Sequence, residues 1–284
     1  MNEDQILVRY PACAGTFYPA TKEGLECEAG ILLSDAKEIV MQRKGLTDEK
    51  IHRVLRAIVV PHGTYDQSGI IAAQGFSLLS KFSQHDHWKI LLIGPSHYSH
   101  FPGAAVSTVD AWQTPLGSTP VNPLAASIAK RHYPALIDLP EVHEREHALE
   151  VQIPFLANVL PDFSIIPIAT GEIDAEKLAN IIGPYCDDET IIVVSADLSH
   201  DHSSDQAHKK DAIITKALTT LDARTLESKG ESCAKIPLLA LLHLAKSNGW
   251  KAEVVDYINA GRTSKDKSHV VGYGCFAFYE NVAQ

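Results

Sequence analysis

Three apolar runs in this chain end in histidine-bearing loops, and that repetition constrains the fold more than any other feature. Residues 57–60 lead into Pro61-His62, residues 90–93 into Gly94-Pro95-Ser96-His97, and residues 191–194 into Ser195-Ala196-Asp197-Leu198-Ser199-His200. Short runs of Val, Ile and Leu bounded by Gly or Pro read as buried strands. Proline cannot donate to a ladder, so the strands stop where the histidines begin. In an open α/β sheet, ligands gather in the crevice beyond the carboxyl ends of the strands. If the three strands are parallel neighbours, His62, His97 and His200 converge there, in outline a metal or acid/base site. A single histidine after a strand is ordinarily a half-buried loop residue; the repetition is what favours function.

Helical spacing fills the intervals. Leu25, Ala29, Leu32, Leu33, Ala36, Ile39 and Val40 predict an amphipathic helix over 21–44, with Thr21 as N-cap and Glu23 in the first turn. Further helices are expected over 69–82, 175–185, 205–221 and 235–247, and further strands over 104–109, 163–168, 253–258 and 270–278. Strands alternating with helices give an α/β fold. No linker, low-complexity tract or repeat of domain size divides the 284 residues, so one domain over 1–284 is expected. Trp112 reads as a core residue.

Charge and cysteine usage exclude several classes. A net charge of −10, from 35 acidic and 25 basic residues, offers no basic surface for a phosphate backbone, so nucleic acid is not an expected partner. The apolar run 236–245 is too short to span a membrane, and the acidic start has no signal-peptide character, so a soluble cytoplasmic protein is expected. The five cysteines are odd in number and never in a C-x-x-C, which reads as reduced thiols. Cys233 precedes the 235–247 helix, whose dipole would shift its thiol toward thiolate. Nucleotide-binding glycine motifs and the G-x-S-x-G elbow are missing.

Asp197, three residues before His200, is expected to orient that ring by accepting its other N–H. His147 and Glu150 are expected on one helix face, lining the pocket or holding its ligands by hydrogen bonds. His143-Glu144-Arg145-Glu146-His147 matches H-E-x-x-H, in which two histidines bind zinc and the glutamate acts as base. That peptidase reading ranks third, because the match follows Pro140 at a helix start and leaves the strand-end histidines unexplained.

The blocks VRYPACAGTFYP, PHGTYDQSG, ILLIGPSHYSHF, STVDAWQTPLGSTPV, EHALEVQIPFL, SADLSHDH, SCAKIPLLALL and VVGYG resemble, in order and over nearly the whole chain, the Memo family (mediator of cell motility). In prokaryotes this family is also called AmmeMemoRadiSam system protein B, after genes for radical-SAM and AMMECR-type proteins that accompany it. The resemblance implies an αβα sandwich around a central mixed, largely parallel sheet, like that of the class III extradiol dioxygenases, which hold non-haem iron(II). It implies metal ligation by His62, His97 and Cys233 and acid/base work by His200, with Tyr65, Ser96 and His202 in the pocket. Iron(II) follows from the fold analogy, while a thiolate ligand equally suits zinc or copper. This chain departs from the family pattern at Thr64, where glycine is usual, at His202 in place of tyrosine, and at Ala234 in place of glycine.

The resulting expectation is a metal-dependent oxidoreductase acting on a small aromatic or carbonyl compound. The alternative is a protein that binds metal, peptide or partner in the same cleft without turnover. Radical-SAM and AMMECR-type proteins are the partners implied.

Overall fold

The computed structural model describes residues 6–43, 53–80, 86–262 and 267–281. The strands are β1 (Val8–Arg9), β2 (Arg53–Val60), β3 (Trp88–Pro95), β4 (Ala104–Val106), β5 (Ala111–Thr114) and β6 (Gly117–Pro120), then β7 (Leu136–Asp138), β8 (Phe163–Thr170), β9 (Thr190–Ser195), β10 (Lys251–Asn259) and β11 (Gly272–Asn281). The helices are α1 (Lys22–Gln42), α2 (Tyr65–Leu79), α3 (Leu124–Arg131), α4 (Pro140–Glu144) and α5 (Ile153–Val159), followed by α6 (Ala175–Ile182), α7 (Ser204–Thr219), α8 (Ala223–Lys229) and α9 (Lys235–Ser247).

Eight strands form one sheet in the order β10-β11-β2-β9-β3-β8-β4-β7. The four central strands, β2, β9, β3 and β8, are mutually parallel. Antiparallel pairs flank them, β10 with β11, β11 with β2, and β4 with β8. The three histidine-bearing strands are therefore adjacent, and they end level, since Val60 pairs with Ser195 and Ile93 with Val194.

Helices cover both faces, which is why the central strands are continuous apolar runs rather than alternating ones. Side chains still alternate. Ala57, Val59, Leu91, Ile93, Ile192 and Val194 face a layer containing α3, α6 and α9. Ile58, Val60, Ile90, Leu92, Ile191 and Val193 face α1, α2 and α5. The result is an αβα sandwich. Among the described residues no helix is long and apolar enough to cross a membrane.

The helix over 21–44 is present as α1, with Gly24 N donating to the Thr21 hydroxyl at 3.2 Å. α2 begins four residues earlier than its spacing indicated, because extended Thr64 is the N-cap. Residues 44, 81 and 82, where those two expected helices end, and 263–266 of the loop before β11 lie outside the described residues. No single helix forms over 140–161: α4 stops at Glu144, and α5 starts only at Ile153, with Pro154 in its first turn. β1, β5 and β6 make a small separate sheet, closed between β5 and β6 by Gly117 at φ 129°. Trp112 lies in this sheet and is fully buried, as a core residue.

Candidate metal centre

The level strand ends bring the histidines together. His62 and His97 have ring centroids 5.1 Å apart, and His147, from the irregular segment before α5, stands 5.5 Å from His62 and 4.7 Å from His97. One ring nitrogen of each lies within 4.8 Å of the others, a group able to hold a divalent metal. Glycine at position 94 makes the approach feasible: a Cβ there would stand 2.8 Å from Leu149.

His62 is buried, and burial first, then the neighbouring His97, lowers its pKa to about 3. Its ring is therefore neutral at pH 7, the form in which imidazole ligates metal. Cys233 Sγ lies 3.4 Å from His62 Nε2. The three imidazoles, with the His62 ring neutral, fit a divalent cation of borderline softness, and the Cys233 sulfur lies beside that group without belonging to it. Against expectation the thiol is pushed up, not down, by burial and by Asp197. The residue sits ahead of the N-cap Ala234 of α9, and desolvation there outweighs the helix dipole.

His97 is held by Glu146, a fully buried carboxylate. Glu146 accepts from His97 N at 2.6 Å, from His97 Nδ1 at 2.9 Å and from Ala148 N at 2.9 Å. Burial would raise its pKa, but these partners prevail and bring it to about 2. An ionised acceptor on Nδ1 keeps a proton on that nitrogen and fixes the orientation of the ring. His147 is sandwiched between His97 and Phe17, whose ring lies 4.4 Å away. Burial first, then His62, lowers its pKa to about 4, and its Nδ1 has no hydrogen bond although Glu146 is 3.4 Å away.

His200 stands across Asp197. Asp197 Oδ2 is 3.8 Å from His62 Nε2 and 3.9 Å from His200 Nε2, while Oδ1 accepts from His62 N at 2.8 Å. Asp197 does not orient His200 as expected. The ring is held instead by its own loop, Nδ1 donating to Leu198 O at 2.9 Å. A carbonyl only accepts, so Nδ1 carries a proton, and Nε2 is the nitrogen on the side of Asp197. Burial raises the pKa of Asp197. After His200 the chain turns at Asp201, which adopts φ 60°, a left-handed conformation that aspartate tolerates.

The other residues expected in or beside the pocket have partners of their own. Tyr65 belongs to the core, stacked on Phe155 at 4.6 Å with its hydroxyl donating to Val151 O. Ser96 donates to Ser99 O, and His202 pairs with Glu231 at 2.6 Å. Glu150 is not one helical turn from His147, since no helix joins them. Its carboxylate faces the N-terminal segment, accepting from Arg9, Ala12 N, Cys13 N, the Cys13 thiol and the Tyr18 hydroxyl.

The peptidase reading is corrected by the same geometry. The H-E-x-x-H segment leaves the helix at Glu144, so its two histidines do not share a helical face. His143 is buried against Trp112, with ring centroids 5.6 Å apart, and is not in the histidine group. His143→Ala is expected to leave zinc stoichiometry unchanged in equilibrium dialysis; loss matching that of His62→Ala would restore the peptidase reading.

Sequence reasoning missed Glu146, Ser195 and Gln152. Glu146 was visible only as part of the misleading motif, and Ser195 only as the first residue of the loop that leads to His200.

Known proteins are similar to this chain over most of its length. The family model described as "Memo-like protein" matches residues 9–277. The chain is 33% identical to a "MEMO1 family protein" of Aquifex aeolicus (strain VF5), covering 94% of this chain and 97% of that protein. It is 32% identical to one of Methanosarcina barkeri (strain Fusaro), covering 94% and 98%. A solved structure of an uncharacterized Escherichia coli K12 protein is similar in fold, with a TM-score of 0.53 at 13% identity, over 78% of this chain and 99% of that one. With a family match running from β1 to β11, and relatives aligned almost end to end, the chain belongs to the Memo family.

Proposed function

We propose that this protein holds a divalent metal on His62, His97 and Cys233 and acts there as an oxidoreductase on a small aromatic or carbonyl compound. The observation that carries the reading is a group of histidine rings able to hold a metal, with the Cys233 thiol 3.4 Å from His62 Nε2 and His200 across Asp197. The fold analogy with the extradiol dioxygenases favours iron(II), and the thiol keeps zinc and copper as alternatives. When bound, such an ion supplies Lewis acidity and, if iron, redox chemistry.

The chain's own residues supply the rest. Glu146 and the fully buried strand ends hold the ligand rings in place. His200 Nε2 takes a proton from a substrate hydroxyl and returns it to the product, while Asp197 offsets the charge of the imidazolium. The rings of Phe17 and Tyr98 stand beside His147.

The test is metal analysis of protein purified without oxygen, followed by oxygen uptake with a panel of dihydroxylated aromatics. His200→Ala is expected to keep the metal and lose about 10²–10⁴-fold in rate. An unchanged rate would remove His200 from the chemistry.

The position of His147 favours a second reading. Its ring nitrogen, as a fourth donor after those of His62, His97 and Cys233, would complete a closed four-coordinate site, which binds without turnover. In the cobalt(II)-substituted protein, visible absorption that added azide does not alter would support the closed site, and a shift with azide the open one.

A further inference from the structure

His62 is the residue around which the other donors gather, and its metal-facing nitrogen is settled by groups on the far side of its ring. Its Nδ1 lies 3.0 Å from Ser195 Oγ. The serine hydroxyl has one proton and two lone pairs. Its proton goes to Ala148 O, 2.6 Å away. Were that proton turned toward His62 instead, the 2.6 Å contact would join two oxygens with no hydrogen between them.

Gln152 closes the alternative from another direction. Its Nε2 donates to Ser195 Oγ at 3.0 Å and to Pro61 O at 3.0 Å. A flipped amide would set its oxygen against the Pro61 and Ala148 carbonyls, so the orientation of the amide is set by its surroundings. Gln152 and Ser195 are both fully buried, and no element exposes this chain of groups to bulk water that could reverse it. Ser195 Oγ therefore has only acceptor capacity left for His62.

We propose that Gln152 and Ser195 are positioning residues that lock His62 as the Nδ1–H tautomer, so that Nε2 presents its lone pair to Cys233 and to the cleft. The direction of every proton in the chain follows from main-chain carbonyls, which cannot donate. Only the consequence for metal affinity rests on the metal reading above; the tautomer itself is a property of the metal-free protein.

The experiment is a two-bond ¹H–¹⁵N correlation spectrum of the metal-free, histidine-labelled protein near pH 7, with His62 assigned by the loss of its pattern in His62→Asn. The Nδ1–H pattern is expected. An Nε2–H pattern in the wild type overturns the proposal whatever the variants do. Ser195→Ala is expected to bring in the Nε2–H form and weaken zinc binding about 10–100-fold, as loss of a ligand's hydrogen-bond partner does. Ser195→Thr, which keeps the hydroxyl, is expected to restore both. If Ser195→Ala keeps a pure Nδ1–H pattern and wild-type zinc affinity, Ser195 does not set the tautomer and the proposal falls. Should Ser195→Ala fail to fold, the wild-type spectrum still decides the tautomer, and Gln152→Leu tests the chain. A mixed tautomer in that variant supports the proposal, and an unchanged one removes Gln152 from it. A wild type with the Nδ1–H pattern that takes up no metal would overturn the metal reading and leave the tautomer assignment standing.

Discussion

Glu150→Ala is expected to destabilise the protein by about 3–5 kcal/mol at pH 7, the cost of leaving one partner of a buried ion pair alone. Arg9 and Glu150 pair where both side chains are almost fully excluded from water. Without the carboxylate, the guanidinium keeps its bonds to His143 O at 3.0 Å and Glu146 O at 2.7 Å, but its charge is uncompensated. The main-chain donors of Ala12 and Cys13 and the hydroxyl of Tyr18 lose their acceptor at the same time. The effect reaches the cleft, because this segment carries Phe17, whose ring packs on His147 and whose carbonyl accepts from Tyr65 N at 2.9 Å.

Urea unfolding of wild type and variant measures the difference, and its pH dependence checks the cause. Burial would raise the pKa of Glu150, yet Arg9 and the surrounding donors carry it below the ordinary carboxylate value. A group whose folded pKa is depressed contributes stability above its unfolded pKa and loses it as pH falls through the folded value. The gap between wild type and Glu150→Gln should therefore be full at pH 7 and narrow below about pH 4.5, near the unfolded pKa of glutamate. A gap that stays constant down to pH 3 would mean that the carboxylate's charge does not matter.

His62→Ala is expected to weaken zinc binding by well over the roughly 10–100-fold that follows loss of a hydrogen-bond partner to a ligand. His62 is the one ring in contact with His97, His147 and Cys233 together. Replacing either His62 or His147 removes one of three ring nitrogens that lie within 4.8 Å of one another, but His62 also meets the Cys233 sulfur, so its loss is expected to cost more. Competition with a chromophoric zinc chelator gives both affinities. If His62→Ala binds zinc as the wild type does, the proposed centre is misplaced; if His147→Ala alone loses the metal, the ligand set is the three histidines without the thiol.

Much of this arrangement was legible in the sequence because a parallel sheet buried on both faces leaves a plain mark. Runs such as Ile-Val-Val before Pro61 and Ile-Leu-Leu-Ile before Gly94 read as strands buried on both faces, and the proline or glycine after each shows where the ladder ends. Thr21 and the spacing from Leu25 to Val40 specified α1 to within two residues, since N-capping and helical periodicity are local properties.

Tertiary structure alone decided the rest. Glu146 and Glu150 are four residues apart, yet one serves His97 and the other Arg9, because the segment between α4 and α5 is irregular and turns the two carboxylates to different partners. The H-E-x-x-H spacing misled for the same reason: it carries meaning only on a continuous helix, and this one ends at Glu144. Cys233 stands near a helix N-terminus in sequence, but its thiol is governed by desolvation and by Asp197, which comes from a loop thirty-six residues earlier. Ser195 had no local signal as a partner of His62. Its role arises from the level register of β2 and β9, which sets its hydroxyl between a histidine of one loop and a glutamine and a carbonyl of the segment leading into α5.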